Sequence, residues 1–158
     1  MKKLIIITFI ALLVSLTGCT EQIENDTSFF FTHNDLEIKM NAEAEPILEA
    51  LGEPKEFFEQ PSCAYQGMDK FYYFGGFEIN TYQKDDIDFI LYLGVLDDSV
   101  STPEGVTIGS SFEDMKKAYG EDYSQKNNFY AYTSGQTKLQ FIVEDGVITG
   151  INYNAIVE

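Results

Sequence analysis

The sequence predicts an α+β fold in which two tandem units share one core, each unit being a helix followed by a three-stranded antiparallel meander, with both helices on one face of the sheet. Sliding the chain by 68 residues aligns 47–53 with 115–121, and each segment is typical of a short amphipathic helix that stops at a glycine, Gly52 or Gly120. Runs rich in aromatic and β-branched residues follow each segment. One unit alone buries too little apolar surface, so we expect a shared core.

Both predicted helices have start and stop signals. In the first unit Asn41 is a candidate cap, and in the second Ser111 supplies a hydroxyl ahead of acidic first-turn residues. Gly52 and Gly120 fit the left-handed position that ends a helix. The apolar faces consist of Ile47, Ala50 and Leu51 in the first helix and Phe112, Met115, Ala118 and Tyr119 in the second.

The predicted strands are separated by turn residues such as Gly75-Gly76 and Asp145-Gly146. They cover 70–74, 77–82 and 87–93 in the first unit and 129–133, 138–143 and 147–153 in the second. Phe29 to Phe31 could form a further strand ahead of both units. These patterns predict a single domain over 29–158, with repeat one at about 36–96 and repeat two at about 104–154.

The first nineteen residues have the three regions of a secretory signal peptide: two lysines, a short apolar run, and small residues at the exit. The ending Leu16, Thr17, Gly18 and Cys19 resembles the lipobox of bacterial lipoproteins. The resemblance implies that the lipoprotein signal peptidase recognises Leu16, Thr17 and Gly18 and cleaves after Gly18. It also implies a covalent diacylglyceryl lipid on Cys19. The alternative is a plain signal peptide that happens to contain a cysteine.

On the lipobox interpretation, 1–18 is the signal peptide and 19–28 is a lipidated tether. The protein is then held at the extracytoplasmic side of the cell membrane, with the lipid bilayer as its first partner. Loss of Lys2 and Lys3 with the leader moves the formal charge from −16 to −18. The chain has no arginine and no basic patch, which argues against nucleic-acid binding. No cofactor other than the lipid is predicted.

Three stretches carry a resemblance to known lipoproteins: 63–67, 77–82 and 102–109. They are similar to uncharacterised lipoproteins of low-GC Gram-positive bacteria, a resemblance that implies a fold and a location but no activity. Gly109-Ser110-Ser111, Tyr119-Gly120 and the strand-turn-strand runs resemble the tandem fold of the β-lactamase inhibitor protein family. Each half also resembles the outer-membrane assembly lipoproteins of the SmpA/OmlA type. Neither likeness assigns an inhibitory contact to a residue of this chain.

Aromatic residues suggest a binding surface, because ten tyrosines and thirteen phenylalanines exceed what a core of this size needs. Tyrosine on an open sheet gives rigid, amphipathic contact area for protein partners. The alternative is that these rings pack at the rim of the domain. We therefore predict a non-enzymatic module that binds a protein or peptide at the cell envelope, with Tyr65, Tyr72, Tyr82 and Tyr92 as candidate contacts.

Chemistry other than binding has weaker signals. The sequence contains no nucleophile elbow, phosphate-binding glycine loop or zinc motif. The alternative function is a small-ligand or calcium-binding lipoprotein that uses its acidic loops, with ligands from Asp85, Asp86, Asp88, Asp97 and Asp98. A thiol enzyme based on Cys63 and the single histidine, His33, is a third hypothesis, although Cys63 is better explained as a small hydrophobe.

Overall fold

The computed structural model describes residues 27–157 as a predominantly antiparallel β protein with two helices, which confirms the α+β class. A two-stranded hairpin comes first and an eight-stranded sheet forms the rest of the β structure. The elements are β1 Phe30–His33, β2 Leu36–Lys39, α1 Ala44–Leu51, β3 Glu56–Pro61, β4 Gln66–Tyr73, β5 Phe77–Lys84, β6 Ile87–Val95, α2 Phe112–Tyr119, β7 Ser124–Lys126, β8 Phe129–Ser134, β9 Thr137–Glu144 and β10 Val147–Ala155.

The large sheet has the strand order β3-β4-β5-β6-β10-β9-β8-β7, and every neighbouring pair is antiparallel. Two meanders thus meet where the last strand of one pairs with the last strand of the other. Each of the six predicted runs overlaps a strand. The predicted count of three strands after each helix is wrong, because four follow each one. The missed strands, β3 and β7, lie at the two outer edges and lack the alternation of a half-buried strand.

The helix termini agree with the sequence at three of the four predicted signals. Ser111 caps α2 through a capping box with Asp114, and Gly52 and Gly120 follow the helices with φ of 79° and 84°. Asn41 is not the cap of α1, which begins after Glu43 without a side-chain cap. The Asn41 side chain is occupied elsewhere: its amide donates to Ile156 O at 3.2 Å and its oxygen accepts from the Tyr82 hydroxyl at 3.2 Å.

The N-terminal hairpin turns at Asn34 and Asp35, whose φ values of 49° and 64° suit a tight two-residue turn. Its second strand, β2, was not predicted. Ahead of β1, Ser28 Oγ accepts a hydrogen bond from the Gln136 N–H at 2.9 Å. The end of the predicted tether therefore contacts the domain. The signal peptide, Leu16 to Gly18 and the lipidation site Cys19 lie outside the described residues. Across 27–157, no helix is long and apolar enough to span a membrane.

The centre of the core consists of rows of side chains that pair across β5, β6, β10 and β9 and so run from one meander into the other. One row is Phe77, Val95, Ile151 and Phe141, and the next is Ile79, Leu93, Tyr153 and Leu139. Each of these side chains is at most 5% exposed. Buried residues of the hairpin and of both helices belong to the same cluster, so burial links the two meanders.

Candidate functional site

The sheet residues that alternate with the core rows direct their side chains to the opposite face, and none of them belongs to the core cluster. We call this surface the open face. Read across the strands, it includes one row of Glu56, Tyr73, Glu78, Gly94, Asn152, Gln140, Ala131 and Ser124, a second row of Phe58, Phe71, Asn80, Tyr92, Asn154, Lys138 and Thr133, and a short third row of Lys126, Phe129 and Ile142 in the second meander. All except Gly94 and Ala131 are half-buried or exposed. The open face thus combines aromatic and amide side chains with a few charged and small ones.

Tyr92 lies at the junction of the two meanders. Its hydroxyl donates to Asn152 Oδ1 at 2.9 Å, which links β6 to β10. Its ring covers Gly94, where an added Cβ would collide with the phenol. Burial, with a smaller contribution from the charge of Glu78, raises the pKa of Tyr92 to about 12. The phenol is thus a neutral, positioned group at the centre of the open face.

The first meander contributes an acidic and aromatic half of the open face. Tyr73 on β4 pairs with Glu78 on β5, and Phe58 contacts Phe71 with ring centroids 5.8 Å apart. Burial raises the pKa of Glu78, and the negative charge of Glu78 raises the pKa of the Tyr73 phenol. A carboxylate between aromatic rings can accept a hydrogen bond from a partner in a partly desolvated setting.

The second meander contributes a basic half. A groove of about 650 Å³ runs along β7, β8 and β9, and its lining includes Lys126, Phe129, Lys138 and Gln140. The open face thus has carboxylates at one end and ammonium groups at the other. Such an arrangement orients a partner through complementary charge.

The four tyrosines predicted as contacts do not form one surface. Tyr92 lies on the open face. Tyr82 is only 6% exposed, because the ring of Tyr65 covers it with centroids 4.8 Å apart. Tyr72 pairs with the core residue Ile79, so its side chain lies on the core side of the sheet, opposite the open face, and packs against the core. Its neighbour Tyr73, which is not among the predicted contacts, occupies the open face. Alternation indicates that the two tyrosines face opposite ways, and the pairing of Tyr72 with Ile79 decides which of them faces the core.

The acidic residues of the calcium alternative are likewise spread out. Asp85 and Asp86 form the turn before β6, whereas Asp97 and Asp98 follow its last residue, so a nine-residue strand about 30 Å long separates the pairs. Asp88 forms an ion pair with Lys70 at 2.6 Å. Within 27–157 no group of three or more His, Cys, Asp or Glu residues is arranged to hold a metal ion.

The thiol and the imidazole do not approach each other. His33 contacts the ring of Phe77 at the start of β5, with centroids 4.9 Å apart. Cys63 is exposed in the loop between β3 and β4. Gln66, at the start of β4, pairs with Gln83 near the end of β5. The two residues lie near opposite ends of β5, which is unfavourable for a nucleophile and its base.

Comparison with protein-family models finds no match, and no curated protein matches the sequence. Two solved structures are similar to it. The first is an extracellular protein containing a SCP domain from Bacillus anthracis str. Ames, with a TM-score of 0.44 and 17% identity over 73% of this chain and 44% of the other. The second is a DUF4309 family protein, YjgB, from Bacillus subtilis, with a TM-score of 0.42 and 17% identity over 72% of this chain and 78% of the other. The chain thus spans less than half the length of the first.

Proposed function

We propose that this protein is a lipid-anchored extracytoplasmic module that binds a protein or peptide through the open face and performs no catalysis. The observation that carries the proposal is a full sheet face, across both meanders, whose side chains lie outside the core cluster. Tyr73 and Tyr92 give this face rigid contact area, and its amides supply both donors and acceptors. Interfaces commonly combine aromatic anchors with surrounding polar groups.

The location rests on the leader. Leu16 to Cys19 follow a positively charged and then an apolar segment in the order that lipoprotein processing requires. The processed chain, whose formal charge is −18 once Lys2 and Lys3 leave with the leader, is repelled by anionic headgroups, so an acyl anchor is the effective means of attachment.

We further infer that the two halves are a tandem repeat around one core, with both helices on the face opposite the open face. In support, each half is a short helix followed by a four-stranded meander. Ala44 and Ile47 of α1 and Met115 of α2 belong to the same buried cluster as the core rows. Helices on the core side leave the open face accessible to a partner.

The binding role is tested by site-specific photo-crosslinking in cells. A photoreactive amino acid replaces Tyr73 on the open face, and the matched control replaces Glu113, an exposed residue of α2. We expect Tyr73 to give a discrete crosslinked product of the envelope fraction and Glu113 to give none. Adding Tyr92→Ala should reduce the yield of that product at least fivefold. Equal yields from both positions, or no product from Tyr73, would count against the open face.

The location is tested separately with Cys19→Ser. This variant should lose incorporation of a fatty-acid probe and accumulate as unprocessed precursor. Normal processing of the variant would overturn the lipobox interpretation while leaving the binding proposal intact.

A further inference from the structure

The two edges of the large sheet differ in length and chemistry. The edge strand β7 has three residues, all polar or charged, whereas β3 has six residues that are all exposed. Two of these are large and apolar: Phe57 is 51% exposed and Phe58 is 54% exposed. No described strand pairs with the outer side of β3, so alternate N–H and C=O groups along it lack a strand partner. Such an edge can accept a further strand.

On the core side of the sheet, β3 borders an apolar strip. The ring of Phe57 contacts the ring of Tyr72, with centroids 5.0 Å apart. Tyr72 in turn lines a groove of about 460 Å³ beside α1, together with Leu48 and Ile87. We call this surface, from Leu48 and Ile87 through Tyr72 to Phe57, the edge groove. It provides apolar contact area beside the unpaired outer edge of β3.

The edge groove is strongly acidic at its border. The same lining contains the carboxylates of Glu43, Glu45, Glu49, Asp86 and Asp88. Lys70 is the neighbouring cation, and it is already bound to Asp88 Oδ2 at 2.6 Å. The second oxygen, Asp88 Oδ1, is buried and has no hydrogen-bond partner among the described residues. The groove therefore keeps an excess of negative charge that a positively charged ligand could satisfy.

We propose that β3 and the edge groove bind an extended, lysine- or arginine-bearing segment of a partner protein, which joins the sheet as a ninth strand. Its main chain pairs with the outer side of β3. Alternate side chains on the core side reach Phe57 and the groove, where apolar groups contact Tyr72 and cationic groups contact Glu45 and Glu49. Specificity then comes from charge, and affinity from main-chain pairing and apolar contact.

A second copy of this chain fits the same edge poorly. Glu56 and Glu59 lie on β3 itself, and each copy carries a formal charge of −16, so like charges meet on close approach. The edge groove is also separate from the open face, because Tyr72 and Tyr73 point to opposite sides of the sheet. Binding at the edge groove does not depend on binding at the open face.

The test measures fluorescence anisotropy of a labelled lysine–valine peptide with chain 20–158, which contains every described residue. The peptide repeats the unit Lys-Ser-Val-Ser, so that lysine and valine follow each other along the same face of an extended strand. Three probes are compared: this peptide, a glutamate–valine peptide, and the lysine–valine peptide methylated on every backbone amide. We expect the first to bind, the second not to bind, and the third to bind at least tenfold more weakly, because it has no backbone N–H to donate.

Variants then locate the site. Phe57→Ser and the pair Glu45→Gln/Glu49→Gln should each raise Kd at least fivefold. The matched controls are Phe129→Ser, an exposed phenylalanine near the opposite edge, and Tyr92→Ala on the open face, and both should change Kd less than twofold.

Absence of binding by the lysine–valine peptide, equal binding of its methylated form, or an unchanged Kd for Phe57→Ser with circular dichroism like the wild type would overturn the proposal. So would a wild-type dimer in sedimentation that Phe57→Ser dissociates, since a second copy would then occupy the edge. Loss of binding in Tyr92→Ala alone would assign the peptide to the open face instead.

Discussion

Leu93→Ala tests whether the two meanders share one core. Leu93 on β6 is fully buried and pairs with Ile79 of its own meander and with Tyr153 of the other. Both partners are themselves fully buried and are fixed in adjacent hydrogen-bonded strands, so they have little freedom to fill the space left by the leucine. Leucine-to-alanine changes in cores cost about 2–5 kcal/mol, more where the site cannot collapse. We expect a loss of about 3–4 kcal/mol in the free energy of unfolding.

The matched variant is Leu139→Ala, which removes a fully buried leucine from the second meander on the other side of Tyr153. Because both leucines pack on Tyr153, each variant should shift a single urea transition by a similar amount. The transition is followed by far-UV circular dichroism and by tyrosine fluorescence, and the two probes should coincide. Val147→Ala, at a position that is 41% exposed, serves as the control and should cost about 0.5 kcal/mol or less.

The reasoning would be refuted by two separate transitions, with Leu93→Ala moving one and Leu139→Ala moving the other. That result would mean that each meander unfolds as its own unit and that the paired rows contribute little coupling between them.

Two further predictions concern the α2 cap and an acidic loop. Ser111→Ala should lower the free energy of unfolding by about 1 kcal/mol, because it removes the cap of α2; Ser101→Ala, at an exposed site, is the control in the same urea titration. Hydrogen bonds from the Ser99 hydroxyl and N–H lower the pKa of Asp97. Its ionised form therefore stabilises the fold above the unfolded-state pKa, and this contribution is lost as pH falls through the lower folded-state pKa. Urea midpoints of wild type and Asp97→Asn should differ near about pH 6 and converge towards about pH 2.

The strands that were predicted well from the sequence are those with a local signal, namely alternation within the strand and turn residues beside it. β5 and β10 alternate between buried and accessible positions over most of their length, and turn pairs such as Asp145-Gly146 mark their ends. β3 carries no such pattern, because both faces of an edge strand are exposed and nothing selects apolar residues at alternate positions. Its pairing with β4 is a tertiary property that a propensity argument does not contain.

The candidate site was harder to predict for the same reason. Alternation shows that Tyr72 and Tyr73 face opposite ways, but only the pairing of Tyr72 with Ile79 decides which of them faces the core. Asn41 was similarly misassigned, since its partners Tyr82 and Ile156 are distant in sequence. A helix cap can be predicted from neighbouring residues, whereas the hydrogen bonds of Asn41 with Tyr82 and Ile156 exist only once the sheet has formed.

Gln136 brings the two ends of the described chain together. Its N–H donates to Ser28 Oγ at 2.9 Å, and its carbonyl accepts from the Ile156 N–H at 2.9 Å. The two ends of the described chain therefore leave the domain at the same end of the sheet. The Gly75-Gly76 turn lies at the opposite end. A bulky reporter fused to the C-terminus would therefore lie on the side of the domain where the proposed N-terminal anchor begins. A reporter inserted at the distal turn would leave that side free but would lie beside Tyr73 and Glu78 of the open face, so it suits imaging of location rather than of binding.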